Sequence, residues 1–106
     1  YQILIENDYW KVKPQEDSFI SNFAYPVIHP NRDKIVKELQ KNNIEVRPMI
    51  CGSMGTQPFY VKKYGRLELP NVSIIDKYGF YIPNHPHLTS SEIILISHIV
   101  NEGIKE

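Results

Sequence analysis

A strand, a helix and a second strand follow one another closely in the first half of the chain, and this order constrains the fold most. Apolar side chains fall on both faces of the segment Phe19–Ile28, which predicts an interior β-strand, although Pro26 favours an edge position or a bulge. Pro30 and Asn31 are typical first residues of a helix, and Ile44 begins a second alternating pattern. Because the links are short, the three elements are expected to pack as one α+β unit.

Further elements are predicted downstream of that unit. A short helical turn spans Phe59–Gly65, a second helix begins at Pro70 and ends at Gly79, and a short strand spans Phe80–Pro83. The buried side of the second helix is predicted to consist of Val72, Ile75 and Tyr78.

The helix ends carry clear signals. Thr89 and Glu92 have the spacing of a capping box at the start of the last helix, and Gly103 suits its stop. The first helix is expected to end at Asn42-Asn43, where asparagine tolerates a left-handed conformation. Its apolar stripe consists of Ile35, Val36 and Leu39. The sequence therefore predicts a two-layer α+β domain with a short, mostly antiparallel sheet and about three helices.

The composition excludes several functions. The 106 residues suffice for one domain, and 12 basic residues balance 12 acidic ones, which argues against a general affinity for nucleic acid or anionic membranes. No apolar run approaches the roughly 20 residues that span a bilayer. Cys51 is the single cysteine, so an internal disulfide is impossible and a reducing, cytoplasmic location is expected.

The chain begins with Tyr1 rather than Met, so we expect it to be a piece of a longer protein. Residues 1–18 are interpreted as a connector that docks on the domain or leads in from a preceding one. Residues 19–106 are interpreted as the domain itself.

The segment 44–58 is the best candidate for a ligand site by residue type. Arg47 lies on a predicted edge strand that Pro48 ends, and a loop with Gly52, Ser53 and Gly55 follows. An arginine on a strand that opens into small residues can present donors to an anionic or polyhydroxylated ligand. The same pattern is also that of an ordinary strand-to-loop transition, and both interpretations stay open.

Metal binding and cysteine catalysis find weaker support. His29, His85, His87 and Cys51 are potential ligands, but no further pair has the spacing of a zinc site, so we predict no metal. The Cys51 and Arg47 side chains would be about 13 Å apart along a strand, and the thiol is therefore interpreted as structural rather than nucleophilic.

Two segments have patterns found in nucleic-acid binding. Gly52–Gly55 matches the GxxG loop of KH domains, but it follows a strand instead of joining two helices. Tyr60–Arg66 interleaves aromatic and basic residues, for which a solvated surface turn is favoured over phosphate or base binding. We predict no nucleic-acid partner.

Short motifs follow one another in a specific order along the second half of the chain: Ile44–Pro48, Cys51–Ser53, Gln57–Pro58, Leu69–Pro70, Gly79–Pro86, Leu88–Thr89 and Glu92–Ile93. Their order and spacing resemble the C-terminal small domain of the DegT/DnrJ/StrS family, the pyridoxal-phosphate-dependent nucleotide-sugar aminotransferases. The resemblance covers about residues 19–104. It is closest to the branch of lipopolysaccharide-sugar enzymes and keto-deoxyhexose dehydrases.

The resemblance implies a fold-type I enzyme that acts as a homodimer. Pyridoxal phosphate and the lysine that binds it would belong mainly to an N-terminal domain, from which residues 1–18 would lead into the small domain. None of the lysines here lies in a context that resembles the lysine motif. The chain alone is therefore expected to contain no catalytic residue and to be inactive.

By the family pattern, the substrate-binding residues are Arg47, Gly52, Ser53, Gln57 and His85. Arg47 suits a phosphate, Ser53 and Gln57 suit sugar hydroxyls, and Gly52 permits close approach of the backbone. The parent enzyme would transfer an amino group to a nucleotide-linked keto-deoxysugar for lipopolysaccharide or surface polysaccharide. The alternatives are the same domain of a keto-deoxyhexose dehydrase dependent on pyridoxal or pyridoxamine phosphate, and a non-catalytic binding module.

Overall fold

The computed structural model describes residues 1–49 and 52–105, so predictions that concern Ile50 or Cys51 lie outside the described residues. The strands are β1 (Tyr25–Ile28), β2 (Arg47–Pro48) and β3 (Gly79–Ile82). The helices are α1 (Arg32–Lys41), α2 (Pro58–Tyr64), α3 (Pro70–Tyr78) and α4 (Ser90–Lys105), and Met54–Thr56 forms one turn of 3₁₀ helix. This arrangement confirms the predicted small α+β fold.

The sheet has β3 in its centre, with β1 and β2 antiparallel on either side. The edge positions predicted from Pro26 and Pro48 are confirmed, since each proline lies on an outer strand where a missing N–H is tolerated. The interior position predicted for Phe19–Ile28 is wrong. Only its last four residues form a strand, and that strand lies at the edge of the sheet. Phe19 and Phe23, which were expected to be buried, are exposed.

One face of the sheet forms the core with two helices. Val27 of β1 and Phe80 of β3 are directly opposite each other in the ladder and are almost completely buried. Ile35 and Leu39 of α1 and Val100 of α4 cover them, each with no exposed surface. The predicted stripe on the first helix is therefore confirmed, with Val36 at its partly buried margin.

Local signals predict several helix boundaries. Asn43 has φ +58°, which confirms a left-handed residue after α1. At the start of α4, the Glu92 N–H donates to Thr89 Oγ1 at 3.2 Å and the Thr89 N–H donates to Glu92 Oε1 at 3.1 Å, so the capping box is confirmed.

Gly103 does not end the last helix, contrary to the prediction. α4 continues to Lys105, and a Cβ atom on Gly103 would collide with Cγ1 of Ile35 on α1. The Asn31 side-chain amide donates to the Gly103 carbonyl at 3.0 Å instead of capping α1. The glycine thus permits close packing of the two helices. A glycine that stops a helix and a glycine that permits close packing look the same in the sequence.

The helix α3 has no fully buried residue, so its predicted buried side is only partly correct. Val72 and Tyr78 are half-buried, whereas Ile75 is 40% exposed. Gly79 ends this helix as predicted and begins β3 directly, with an ordinary φ of −92°. The helix is joined to α1 by a 2.8 Å hydrogen bond from Arg32 Nη1 to the Asp76 carbonyl.

The first residues of the chain pack on the same core. Ile5 is 2% exposed, and the Asn101 side chain on α4 binds the backbone on both sides of it, at Leu4 O and Glu6 N. Asn7 donates to the Ile28 carbonyl at 3.0 Å. No helix among the described residues has the length and apolar character needed to cross a membrane.

Candidate functional site

The second face of the sheet is not covered by α1 and α4, and it is called here the open face. Since successive residues of a strand point to opposite sides, Tyr81 of β3 points away from the core that Phe80 and Ile82 enter. Tyr81 pairs with Pro26 on one side and with Arg47 on the other. Three strands therefore place one residue each in a row across the open face.

A shallow depression of ≈ 280 Å³ lies beside this row, and it is called here the open-face depression. It is lined by Phe23, Ala24, Glu45, Arg47, Tyr81, Ile82, Pro83, Asn84 and His85. A volume near 300 Å³ is at the lower end of small-molecule sites.

Arg47 is held by its own strand neighbour. Its Nη2 lies 2.7 Å from Glu45 Oε1, and its Nε donates to the same oxygen at 2.9 Å. Both side chains are about three-quarters exposed, at 75% and 70%, so the pair adds little stability. Glu45 does balance the charge of the guanidinium.

Two aromatic rings form the apolar part of the depression. The ring centroids of Phe23 and Tyr81 are 5.4 Å apart with an interplanar angle of 57°. Phe23 is 73% exposed, so this large apolar side chain is held against the sheet without being covered.

His85 reaches the depression from the loop after β3. That loop is tied down by Asn84, whose side-chain amide donates to the Asn22 carbonyl at 2.6 Å. The hydrogen bonds from the Thr89 hydroxyl and backbone hold the pKa of Glu92 below its usual value, and the nearby His85 lowers it further. The capping box of α4 thus places the Glu92 carboxylate near His85.

The other three predicted residues lie elsewhere. Gly52 has φ +60° and faces the Asp76 carboxylate of α3, where a Cβ atom would collide. Ser53 is buried, and its carbonyl accepts a hydrogen bond from Thr56 Oγ1 at 3.1 Å. Gln57 precedes α2. Of the five predicted residues, the structure brings only Arg47 and His85 into one depression.

Four polar or aromatic lining residues were missed from the sequence: Phe23, Glu45, Tyr81 and Asn84. The position of Tyr81 could have been predicted, since strand alternation turns it to the face opposite to that of Phe80 and Ile82. Phe23 had none, because its position depends on where β1 begins.

Other depressions lie elsewhere on the described part of the chain. One of ≈ 360 Å³ lies between α1 and α4 and is lined by Lys34, Glu38, His98, Ile99, Glu102 and Gly103, none of which was predicted for a site. Another of ≈ 250 Å³ lies at the β2 edge, where Arg47 borders it together with Arg32. Arg32 is already bonded to the Asp76 carbonyl and to Asp33, so this edge is committed to packing α1 and α3 together.

The alternative chemistries gain no support from the described residues. Within residues 1–49 and 52–105, no three His, Cys, Asp or Glu side chains come together to hold a metal ion. In the Tyr60–Arg66 segment, the Tyr60 and Tyr64 rings pack at 5.0 Å and Arg66 pairs with Glu68 at 2.7 Å. These contacts fit the surface-turn interpretation.

A model of the DegT/DnrJ/EryC1/StrS aminotransferase family matches residues 2–101, and the chain belongs to this family. The family supports a sugar aminotransferase type of function and is generally dependent on pyridoxal phosphate. No curated protein matches the chain.

The residues of the open-face depression do not form a cradle for that cofactor. Covalent attachment of pyridoxal phosphate requires a lysine amine, and no lysine is among the residues that line the depression in the described part of the chain. The chain's own residues are therefore considered only for binding and orienting a substrate.

Proposed function

We propose that this chain is the C-terminal part of an aminotransferase that acts on a nucleotide-linked keto-deoxysugar for lipopolysaccharide or surface polysaccharide. Its role is to hold the substrate against a cofactor domain elsewhere in the same protein. The observation that carries this proposal is the open-face depression with Arg47 and His85 in a member of a sugar aminotransferase family. We place the parent protein in the cytoplasm as a homodimer.

The proposed work of the chain is positioning. Arg47 offers several fixed N–H donors, and Glu45 keeps them oriented before the substrate arrives. His85 adds a second donor close to the Glu92 carboxylate. Such preformed donors reduce the entropy that is lost when a substrate is held in a reactive orientation.

Arg47→Ala tests the substrate role of this residue. In the full-length protein we expect affinity for a nucleotide sugar to fall about tenfold or more, because a charged donor contributes roughly 1.5–3 kcal/mol, while pyridoxal phosphate still binds. Titration calorimetry measures the first quantity and the cofactor absorbance measures the second.

The chain offers a matched control for that variant. Arg66 pairs with Glu68 two residues away at 2.7 Å, as Arg47 does with Glu45, but outside the depression. Arg66→Ala is expected to leave nucleotide-sugar affinity unchanged. Equal affinities for Arg47→Ala and the unmodified protein would remove Arg47 from the site.

The reaction class is tested on the full-length protein by reduction with borohydride in the presence of pyridoxal phosphate, followed by peptide mass spectrometry. A pyridoxyl-lysine outside this chain is the expected result for an aminotransferase. Bound cofactor without a labelled lysine would replace the proposal with the keto-deoxyhexose dehydrase. A protein that binds no cofactor would overturn both and favour a non-catalytic binding module.

A further inference from the structure

The open-face depression has almost no net charge. Among its lining residues, Arg47 and Glu45 form a 2.7 Å ion pair, and His85 is the remaining titratable group besides the Tyr81 phenol. A site for a diphosphate is expected to carry an excess of positive charge, because two or more negative charges must be compensated. Here the carboxylate that would repel a phosphate is bound directly to the guanidinium that would attract it.

The same residues suit a sugar ring. A pyranose has hydroxyl groups that need both donors and acceptors, and it has faces of C–H groups that are apolar. Arg47 supplies donors and Glu45 supplies an acceptor, and the exposed ring of Phe23, packed against Tyr81, lines the same depression. A mostly apolar pocket with a few oriented polar groups is the usual form of a small-ligand site.

The size agrees with one ring. The depression of ≈ 280 Å³ is at the lower limit of roughly 300–1,000 Å³ for small-molecule sites, so it is too small for a whole nucleotide sugar. Asn84 fixes the loop wall by its 2.6 Å bond to Asn22, and the capping box fixes the start of α4 behind it. The loop side of the depression is therefore held by hydrogen bonds within the chain.

We propose that the open-face depression is a subsite for the sugar ring of the substrate, with Phe23 against its C–H face and the Arg47–Glu45 pair on its hydroxyls, and with the diphosphate outside. This inference rests on the proposed function and refines it. It assigns Arg47 to sugar hydroxyls instead of the phosphate expected from the sequence, and it makes Glu45 and Phe23 determinants of sugar binding.

The test compares two kinds of probe on the full-length protein: UDP-, dTDP- and GDP-hexoses, and the corresponding nucleoside diphosphates. Phe23→Ala is expected to weaken hexose-nucleotide binding about fivefold and to leave nucleoside-diphosphate binding unchanged. Glu45→Gln is expected to weaken hexose-nucleotide binding about tenfold, since a charged acceptor is lost, and again to spare the diphosphates. Calorimetry gives both dissociation constants.

Matched controls are available for both variants. Phe19 is exposed like Phe23 but lies outside the depression, and Glu68 repeats the pairing of Glu45 with Arg66 as its partner. Phe19→Ala and Glu68→Gln are expected to leave both kinds of affinity unchanged.

A sugar subsite and a phosphate site predict opposite changes in binding affinity for Glu45→Gln. Tighter binding of both probes by Glu45→Gln would show that Arg47 binds phosphate and would overturn the subsite. The subsite would also be overturned if Phe23→Ala lost equal affinity for both probes or lost none. Equal affinity of the unmodified protein for both probes would overturn the subsite but not the proposed function. Failure of the unmodified protein to bind either kind of probe would overturn the proposed function itself.

Discussion

The two faces of the sheet are built by the same strands but differ in burial. On the core face, Phe80 and Val27 are 1% exposed and are covered by α1 and α4. On the open face, Tyr81 is half-buried, and Arg47 lines the open-face depression with a largely exposed side chain. The alternation of side chains along the strands supplies both the buried core and the proposed ligand surface, so substitutions one residue apart are expected to have different consequences.

The largest effect is expected from breaking the core face. Phe80→Ala should lower the free energy of unfolding by about 3–5 kcal/mol, because a fully buried ring in the central strand leaves a cavity. Urea denaturation followed by circular dichroism measures this loss. Phe23→Ala on the open face should change the same quantity by less than about 1 kcal/mol. Similar losses for both would mean that the open face is also covered in solution.

A smaller effect is expected from the helix layer over the core face. Gly103→Ala should destabilise the protein by about 1–3 kcal/mol, since the added methyl group meets Ile35 and α1 must move outward. Thermal unfolding measures it, with Glu102→Ala as the exposed neighbour on the same helix. A gain in stability, as helix propensity alone would give, would show that the two helices are less tightly packed.

The smallest effect concerns His29, which follows β1 at the end of the sheet. Partial burial lowers the pKa of His29, and its Nδ1 accepts a 3.0 Å hydrogen bond from the Asn31 N–H, which requires an unprotonated nitrogen. The unfolded chain therefore binds the proton first, near pH 6.5, and stability should fall as the pH drops below that value.

Urea unfolding at several pH values between 5 and 8 measures the His29 contribution. His29→Gln should flatten the decline below about pH 6.5, while the exposed His98→Gln should leave it in place. A decline that is unchanged in His29→Gln would assign the proton uptake to another group.

The helices could be predicted because their signals are local. Thr89 and Glu92 cap α4 through contacts three residues apart, and Asn43 ends α1 through its own backbone angle. Local signals predicted only part of the open-face depression. Gly52 and Gln57 are close to Arg47 along the chain, but Gly52 faces Asp76 of α3, Gln57 precedes α2, and neither lines the open-face depression.

The sequence by itself determined the type of domain, the end of α1, the start of α4 and the prolines at the edges of the sheet. These follow from spacing within a few residues, and such spacing is read directly from the chain. The tertiary structure alone decided that Arg47 lies opposite Tyr81, that Phe23 borders the same depression, and that Gly103 packs on Ile35. Those pairings join residues that are far apart in the chain, so strand register and helix packing fix them, and no local pattern contains that information.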